Sequence, residues 1–248
     1  MSRRPVLLVA EKSKLTIPAL SSRSGGGVKV VYGQGTTVYQ DALNLQESLF
    51  QTNLDNKAAG QPTINTLIIC EHEPTYTLGK SGDEKNLLFR PEAVGAAFHK
   101  VSRGGDITYH GPGQIVVYPI FDLDALDIGV ADFVHALEDV VILTLAHYGL
   151  TATRLDGAPG IWLDAERNPR KICAVGMKVS RHCTMHGIAI NVNTDLKYFD
   201  YIVPCGIPDK AVTSLQKELG REIDMNEVRE VFVNELEKRL NIKLITQE

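Results

Sequence analysis

Two apolar runs, Lys171 to Val179 and Thr184 to Val192, are separated only by the short stretch Ser180 to Cys183. A gap of that length joins neighbouring strands as a hairpin, so the two runs predict an antiparallel pair. Further strand signals lie at Val28 to Tyr32, Thr66 to Cys70, Ile115 to Ile120, Thr151 to Arg154 and Ile161 to Leu163. Val38, Ala42, Leu45 and Leu49 recur at helical spacing and predict a helix face. A second helix is predicted from about Val130 to Tyr148, ending at Gly149, where a left-handed cap is sterically free. Pro91 to Phe98 reads as a short helix with proline in its first turn. A last helix runs from Asp224 to about Leu240, with Glu227 as capping-box partner. The predicted class is α+β: mixed, largely antiparallel sheets flanked by helices, without repeats.

The 248 residues can bury a core unaided, and 44% of them are hydrophobic. No apolar run approaches the roughly 18 to 20 residues that span a bilayer, so a membrane-spanning enzyme is not expected. The net charge of -4 argues against a general nucleic-acid binder. It is unevenly spread. Residues 1 to 29 hold six basic residues against Glu11 alone, or +5, which leaves -9 for the rest. Ser21 to Gly27 reads as a flexible linker. The expected organisation is therefore a basic extension over 1–29 and one catalytic domain over 30–248. The extension is a weak transit peptide, because Glu11 and Pro18 interrupt it. A cytoplasmic setting is expected, with a mitochondrial or plastid one as the alternative.

Four cysteines, at 70, 173, 183 and 205, are too few and too irregular for a disulfide framework and suggest a reducing compartment. Cys70, Cys173 and Cys183 lie in or beside apolar strand signals and read as small packing residues. Cys205 differs, because Pro204, Gly206 and Pro208 fix an irregular loop around it. Its context makes it the candidate nucleophile, although composition alone fits a packing role equally well. A thiol of pKa about 8.5 is only roughly 3% ionised at pH 7, so a nucleophile needs a partner that lowers that pKa or takes the proton. Lys171 is the candidate partner. It opens a strand whose odd positions, Cys173, Val175, Met177 and Val179, are apolar, and desolvation on that face would help its amine act as a base. A strand-end lysine reaching out to water is the commoner arrangement, and periodicity alone does not overturn it.

The densest special segment is Arg103 to Gln114, with four glycines in twelve residues between two strand signals. Glycines let a backbone approach a ligand closely, while Arg103, Thr108, His110 and Gln114 offer polar groups. A tight hairpin would explain Gly111-Pro112-Gly113 equally well. No Gly-Lys-Ser/Thr follows, so this is no phosphate loop. The seven histidines include no metal-binding pair on a helix, and no metal is expected. Cys205 with His110 or His186 as a thiol-hydrolase pair stays open.

Taken together, five segments resemble the lipoyl (octanoyl) transferases of the biotin/lipoate protein ligase superfamily. They are Glu71 to Gly79, Arg103 to Gln114, Lys171 to Gly176, Thr184 to Asn193 and Pro204 to Ile207, in the family's order. The resemblance runs from about Val30 toward the C-terminus and does not include the first 29 residues. It implies the catalytic-domain fold of that superfamily. It also implies a two-step acyl transfer in which Cys205 takes an octanoyl group from acyl carrier protein as a thioester, with Lys171 tuning the thiol. The implied substrate-binding residues are Arg103, Gly104, Gly105, Asp106, Ile107, Thr108, Tyr109 and His110, then Ala174, Val175 and Gly176, then His186, Gly187, Ile188 and Ala189, with His72. The implied acceptors are lipoyl domains of 2-oxoacid dehydrogenase complexes and the glycine cleavage H protein. No ATP or other cofactor is implied, because a thioester is already activated. The rival readings are an ATP-dependent lipoate or biotin ligase and a non-catalytic protein that binds acyl groups or lipoyl domains.

Arg167 to Thr194 contains no acid, while Arg167, Arg170, Lys171, Lys178 and Arg181 are all present. Its exposed members are expected to form a docking patch for the acidic carrier; a solvated hairpin with scattered cations is the equal alternative.

Overall fold

The hairpin set by the Ser180 to Cys183 gap is the centre of the molecule. Strands β9 (Arg170–Ser180) and β10 (Cys183–Asn191) pair antiparallel from Cys183↔Ser180 to Ile190↔Cys173. The computed structural model describes residues 27–203 and 211–246. Within them β10 also pairs with β6 (Gln114–Ile120), and β6 with β2 (Thr66–His72), both antiparallel. β1 (Gly27–Thr37) lies parallel to β2 and to β12 (Lys243–Thr246). On the other side β9 continues into β8 (Ile161–Leu163) and β7 (Ala152–Arg154). The order across the large sheet is β12-β1-β2-β6-β10-β9-β8-β7. The two-residue β11 (Ala211–Val212) is parallel to the start of β9, beyond the point where β10 leaves it. A second sheet has β3 (Thr75–Leu78) between β4 (Ala97–Lys100) and β5 (Ile107–His110).

Alternation along the strands divides the large sheet between two cores. Leu67 and Ile69, Ile115 and Val117, and Ile188 and Ile190 face one side with the apolar stripes of α2 (Val130–His147) and α4 (Met225–Leu240). Ile68 and Cys70, Val116 and Tyr118, and Met185 and Ala189 face the other with α1 (Tyr39–Ala58). Cys70, Cys173 and Cys183 are free, buried thiols in these cores, as their sequence context implied. α2 ends where expected, with Gly149 at φ +76°. The fold is α+β, and no helix among the described residues is long and apolar enough to cross a membrane.

Two local expectations change. Pro91 to Phe98 is not one helix: Pro91–Val94 makes a 3-10 turn that Gly95 ends in the left-handed region, and Ala97 and Phe98 then pair with Thr75 and Tyr76. At the start of α4, the Asp224 carboxylate accepts the amide of Asn226 at 2.8 Å, and Glu227 turns toward His147 in place of closing a capping box. Gly27 to Lys29, within the stretch that charge sets apart, belong to β1.

Gly187 sits where β10 crosses β6, and a methyl group there would collide with the Val117 carbonyl and come within 2.8 Å of Pro119 Cδ. Both neighbours are held by the central sheet, so relief needs a shift of backbone. Gly187→Ala is expected to lower unfolding stability by about 1–3 kcal/mol, measured by denaturant titration; an unchanged midpoint would show that the strands can separate locally.

Candidate active site

Residues from three of the resembling segments, far apart along the chain, meet at one cavity of ≈ 670 Å³. Its walls include Arg103 to Thr108 and His110 from the glycine-rich segment, Lys171 and Ala174 to Met177 from β9, and His186 to Ala189 from β10. All the implied binding residues line it except Tyr109 and His72. The Tyr109 ring points into the small sheet's core, stacked on Tyr198 at 4.5 Å and 7°. His72 lies behind the wall, 5.1 Å from the Tyr39 ring and 5.9 Å from His110.

Several lining residues had no place in the sequence reading: Tyr39 on α1, Val116 and Tyr118 on β6, Val130 and Val134 on α2, and the Gly157 to Pro159 turn. Met177 and Val179 also line the cavity. Their shared alternation with Val175 was the signal that could have found them. Apolar groups of β9, with Ile107, Val116, Val134, Ile188 and Ala189, thus give a slot suited to an alkyl chain.

Arg103 is buried, and its guanidinium donates to several neutral oxygens. Its Nε and Nη2 donate to Thr77 Oγ1 at 3.3 and 2.9 Å, Nη2 to Thr77 O at 2.6 Å, and Nη1 to Gly104 O at 3.0 Å. Thr77 in turn donates to His110 Nε2 at 3.2 Å. His110 Nδ1–H donates to Gln114 Oε1 at 2.9 Å; the tautomer follows because Gln114 uses its amide nitrogen for Tyr109 O and Asn191 Oδ1. Asn191 Nδ2 then donates to Thr213 O at 3.0 Å, and Thr213 N–H to Lys171 O at 2.9 Å. One buried hydrogen-bond series therefore joins Arg103 to the backbone of Lys171. Within the glycine-rich segment Gly113 has the structural role the hairpin reading allowed: its φ is +76°, and a Cβ would lie 2.6 Å from the Asn193 backbone.

Lys171 is 7% exposed. It does not reach out to water as a strand-end lysine commonly would. Its ammonium lies 4.7 Å from the centre of the Trp162 ring, and its backbone is flanked by β8 and β11. Cys205 lies outside the described residues; the described residues on either side of its segment are Val203, whose N–H donates to Asn86 O at 2.8 Å, and Ala211, which pairs with Arg170.

The docking patch drawn from the acid-free run is not assembled. Arg170 forms a two-point ion pair with Glu218, Nε to Oε1 at 2.9 Å and Nη2 to Oε2 at 3.1 Å, and also meets Asp164. Arg167 and Arg181 are exposed but lie beyond opposite ends of the eleven-residue β9, roughly 35 Å apart along an extended strand. Lys178 extends over the Phe50 ring. Among the described residues, no group of three or more His, Cys, Asp and Glu side chains could hold a metal ion.

Burial makes the histidines of this region poor proton acceptors. It pulls the His72 pKa down to about 4 and His186 to about 3, and lowers His110 far below its ordinary value. Tyr118 OH donates to the neutral His72 Nε2 at 2.8 Å, since His72 Nδ1–H is directed at Thr37 O. Their folded pKa values are depressed, so the stability they contribute is complete above the unfolded value near 6.5 and is lost as pH falls toward the folded values. His72 alone corresponds to about 3 kcal/mol over that interval. Denaturant unfolding between pH 7.5 and 4.5 should show stability falling below pH 6.5, less steeply in His72→Gln; parallel profiles would remove His72 as a cause.

The family model for the lipoyl protein ligase A/B catalytic domain matches residues 38–237. Among curated relatives, octanoyltransferases from Bacteroides fragilis and Flavobacterium johnsoniae are each 50% identical to this chain. The matches cover 80% and 82% of it and 91% and 92% of theirs. A bipartite lipoate protein ligase from Thermoplasma acidophilum has a similar fold, with TM-score 0.61 and 16% identity over 91% of this chain and 88% of its own. Lipoate-protein ligase A bound with ATP gives TM-score 0.65 and 16% identity, over 91% and 90%. The chain belongs to the lipoyl protein ligase A/B catalytic-domain family and is an acyltransferase.

Proposed function

We propose that the protein transfers an octanoyl group from acyl carrier protein to the ε-amine of a lysine on a lipoyl domain, through a thioester on Cys205. The observation that carries this reading is the burial of Lys171 in the wall of the cavity, on the strand to which the chain returns six residues after Cys205. The 50% identity to octanoyltransferases, over 80% and 82% of this chain, supports the acyl group. The acceptors are lipoyl domains of 2-oxoacid dehydrogenase complexes and the glycine cleavage H protein, and the setting is cytoplasmic.

In the first step the Cys205 sulfur attacks the donor thioester carbonyl. A C–S bond forms to Cys205, the donor's C–S bond breaks, and the donor thiol leaves with the proton that Cys205 gave up through Lys171. In the second step a neutral lysine amine of the acceptor attacks the Cys205 thioester. The amide C–N bond forms, the Cys205 sulfur leaves, and the proton shed by the amine returns to the Cys205–Lys171 pair. The first exchange is nearly neutral in energy and the second runs downhill to an amide, so neither ATP nor a metal is needed. The alkyl chain lies against Val175, Met177, Ile188 and Ala189, where each buried methylene contributes about 0.8 kcal/mol. Backbone N–H donors at the oxyanion would supply about 3 kcal/mol each.

The reading is tested with octanoyl-acyl carrier protein in the absence of ATP, followed by apo-lipoyl domain. Intact mass should show one acyl adduct that vanishes in Cys205→Ser, and then transfer to the domain. Lys171→Ala should slow adduct formation at least ~10²-fold, most severely at low pH. An ATP-dependent ligase would instead show no adduct and act only on free acid with ATP; a thiol hydrolase would release free octanoate.

A further inference from the structure

Among the described residues β11 contributes only Ala211↔Arg170 and Val212↔Lys171 to the sheet, and Ala211 is exposed while Val212 is half-buried. So short a parallel ladder with so little apolar cover does not hold its own register. Its anchor is the next residue. Thr213 is fully buried, gives its N–H to Lys171 O at 2.9 Å and accepts Asn191 Nδ2 at 3.0 Å. The Thr213 hydroxyl donates to Glu218 Oε1 at 2.6 Å, and the same oxygen accepts Arg170 Nε at 2.9 Å. One carboxylate therefore holds the residue before Lys171 on β9 and the residue that closes β11 onto Lys171.

Glu218 is itself well placed for this. It lies in the one-turn helix α3 (Leu215–Leu219), whose start is fixed by the Ser214 cap on Lys217 N–H. That helix is tied to the end of β10 by Gln216 N–H to Val192 O at 2.8 Å, and Leu215 is fully buried. The charged groups around the carboxylate are Arg170, with Asp164 on its far side, and Lys217 on the same helix. The reaction as described above does not use this carboxylate.

We propose that Glu218 is a positioning residue: through Arg170 and Thr213 it fixes the backbone of Lys171, and so the place from which its amine serves the reacting thiol. This rests on the Lys171–Cys205 pairing proposed above. The loss of a purely architectural clamp would lower stability and leave the chemistry of the thiol alone. The loss of a positioning clamp would change the pH at which Cys205 becomes reactive.

The experiment uses the full chain and follows iodoacetamide labelling of Cys205 against pH, located by peptide mass, beside steady-state kinetics and thermal unfolding. Thr213→Val removes one hydroxyl at constant shape, and Glu218→Gln removes the charge. In both, the labelling midpoint should rise toward that of an ordinary thiol, and kcat should fall about tenfold with KM for the donor within twofold. Thr213→Ser should restore most of both. If Glu218→Gln does not fold, Thr213→Val against Thr213→Ser decides alone. Midpoints and kcat unchanged from the parent in folded Thr213→Val would overturn the proposal, provided Lys171→Ala shifts the midpoint. If Lys171→Ala does not shift it, the Lys171–Cys205 pairing itself fails. The labelling needs no acyl donor, so this outcome is separate from an absent acyl adduct.

Discussion

The arrangement around the cavity depends on keeping a row of polar side chains dry and fully partnered. Arg103, Thr77, His110, Gln114, Asn191 and Thr213 follow one another in a single donor-to-acceptor order, from one wall of the cavity to the backbone of Lys171. In an environment of low dielectric, a break in such a row leaves two groups unsatisfied and costs more than the bond gained in making it. The row therefore tolerates few rearrangements. It crosses β3, β5, β6 and β10, so two sheets are locked in one relation by polar groups, while the apolar cores on either face supply most of the burial.

Much of the fold could be read from strand spacing and helix periodicity. The β9–β10 hairpin, the stripes of α1, α2 and α4, and the packing cysteines all follow from local pattern. Where local pattern failed, a non-local pairing decided: Ala97 and Phe98 look helical after Pro91, but they add a strand beside Thr75 and Tyr76. The candidate site was legible where chemistry is concentrated along the chain, from Arg103 to His110 and around Lys171. Tyr39 and Tyr118 were not, because an aromatic on an amphipathic helix or in a buried strand looks like any other core residue until the sheet brings it to the cavity. Tyr109 shows the converse. It lies inside the legible segment, but strand alternation turns its ring to the far side, against Tyr198 and Phe199.

Charge shows the same difference between sequence and space. The acid-free run on β9 looks like a basic surface when read along the chain. In three dimensions Glu218 comes from 48 positions away to meet Arg170, and the exposed arginines are separated by the length of the strand. A sequence with an overall -4 can thus place its acids against the very cations that a linear reading sets apart.

β1 enters the sheet at Gly27, paired with Lys243 on β12, so both ends of the described chain meet at one margin. From β1 to β9 the order passes through β2, β6 and β10, or roughly 19 Å at the usual strand spacing. Gly27 and Lys243 thus stand across the sheet from Lys171. Any additional module appended at either end would be tethered at this same margin, with the width of the central strands between its attachment point and the reacting groups.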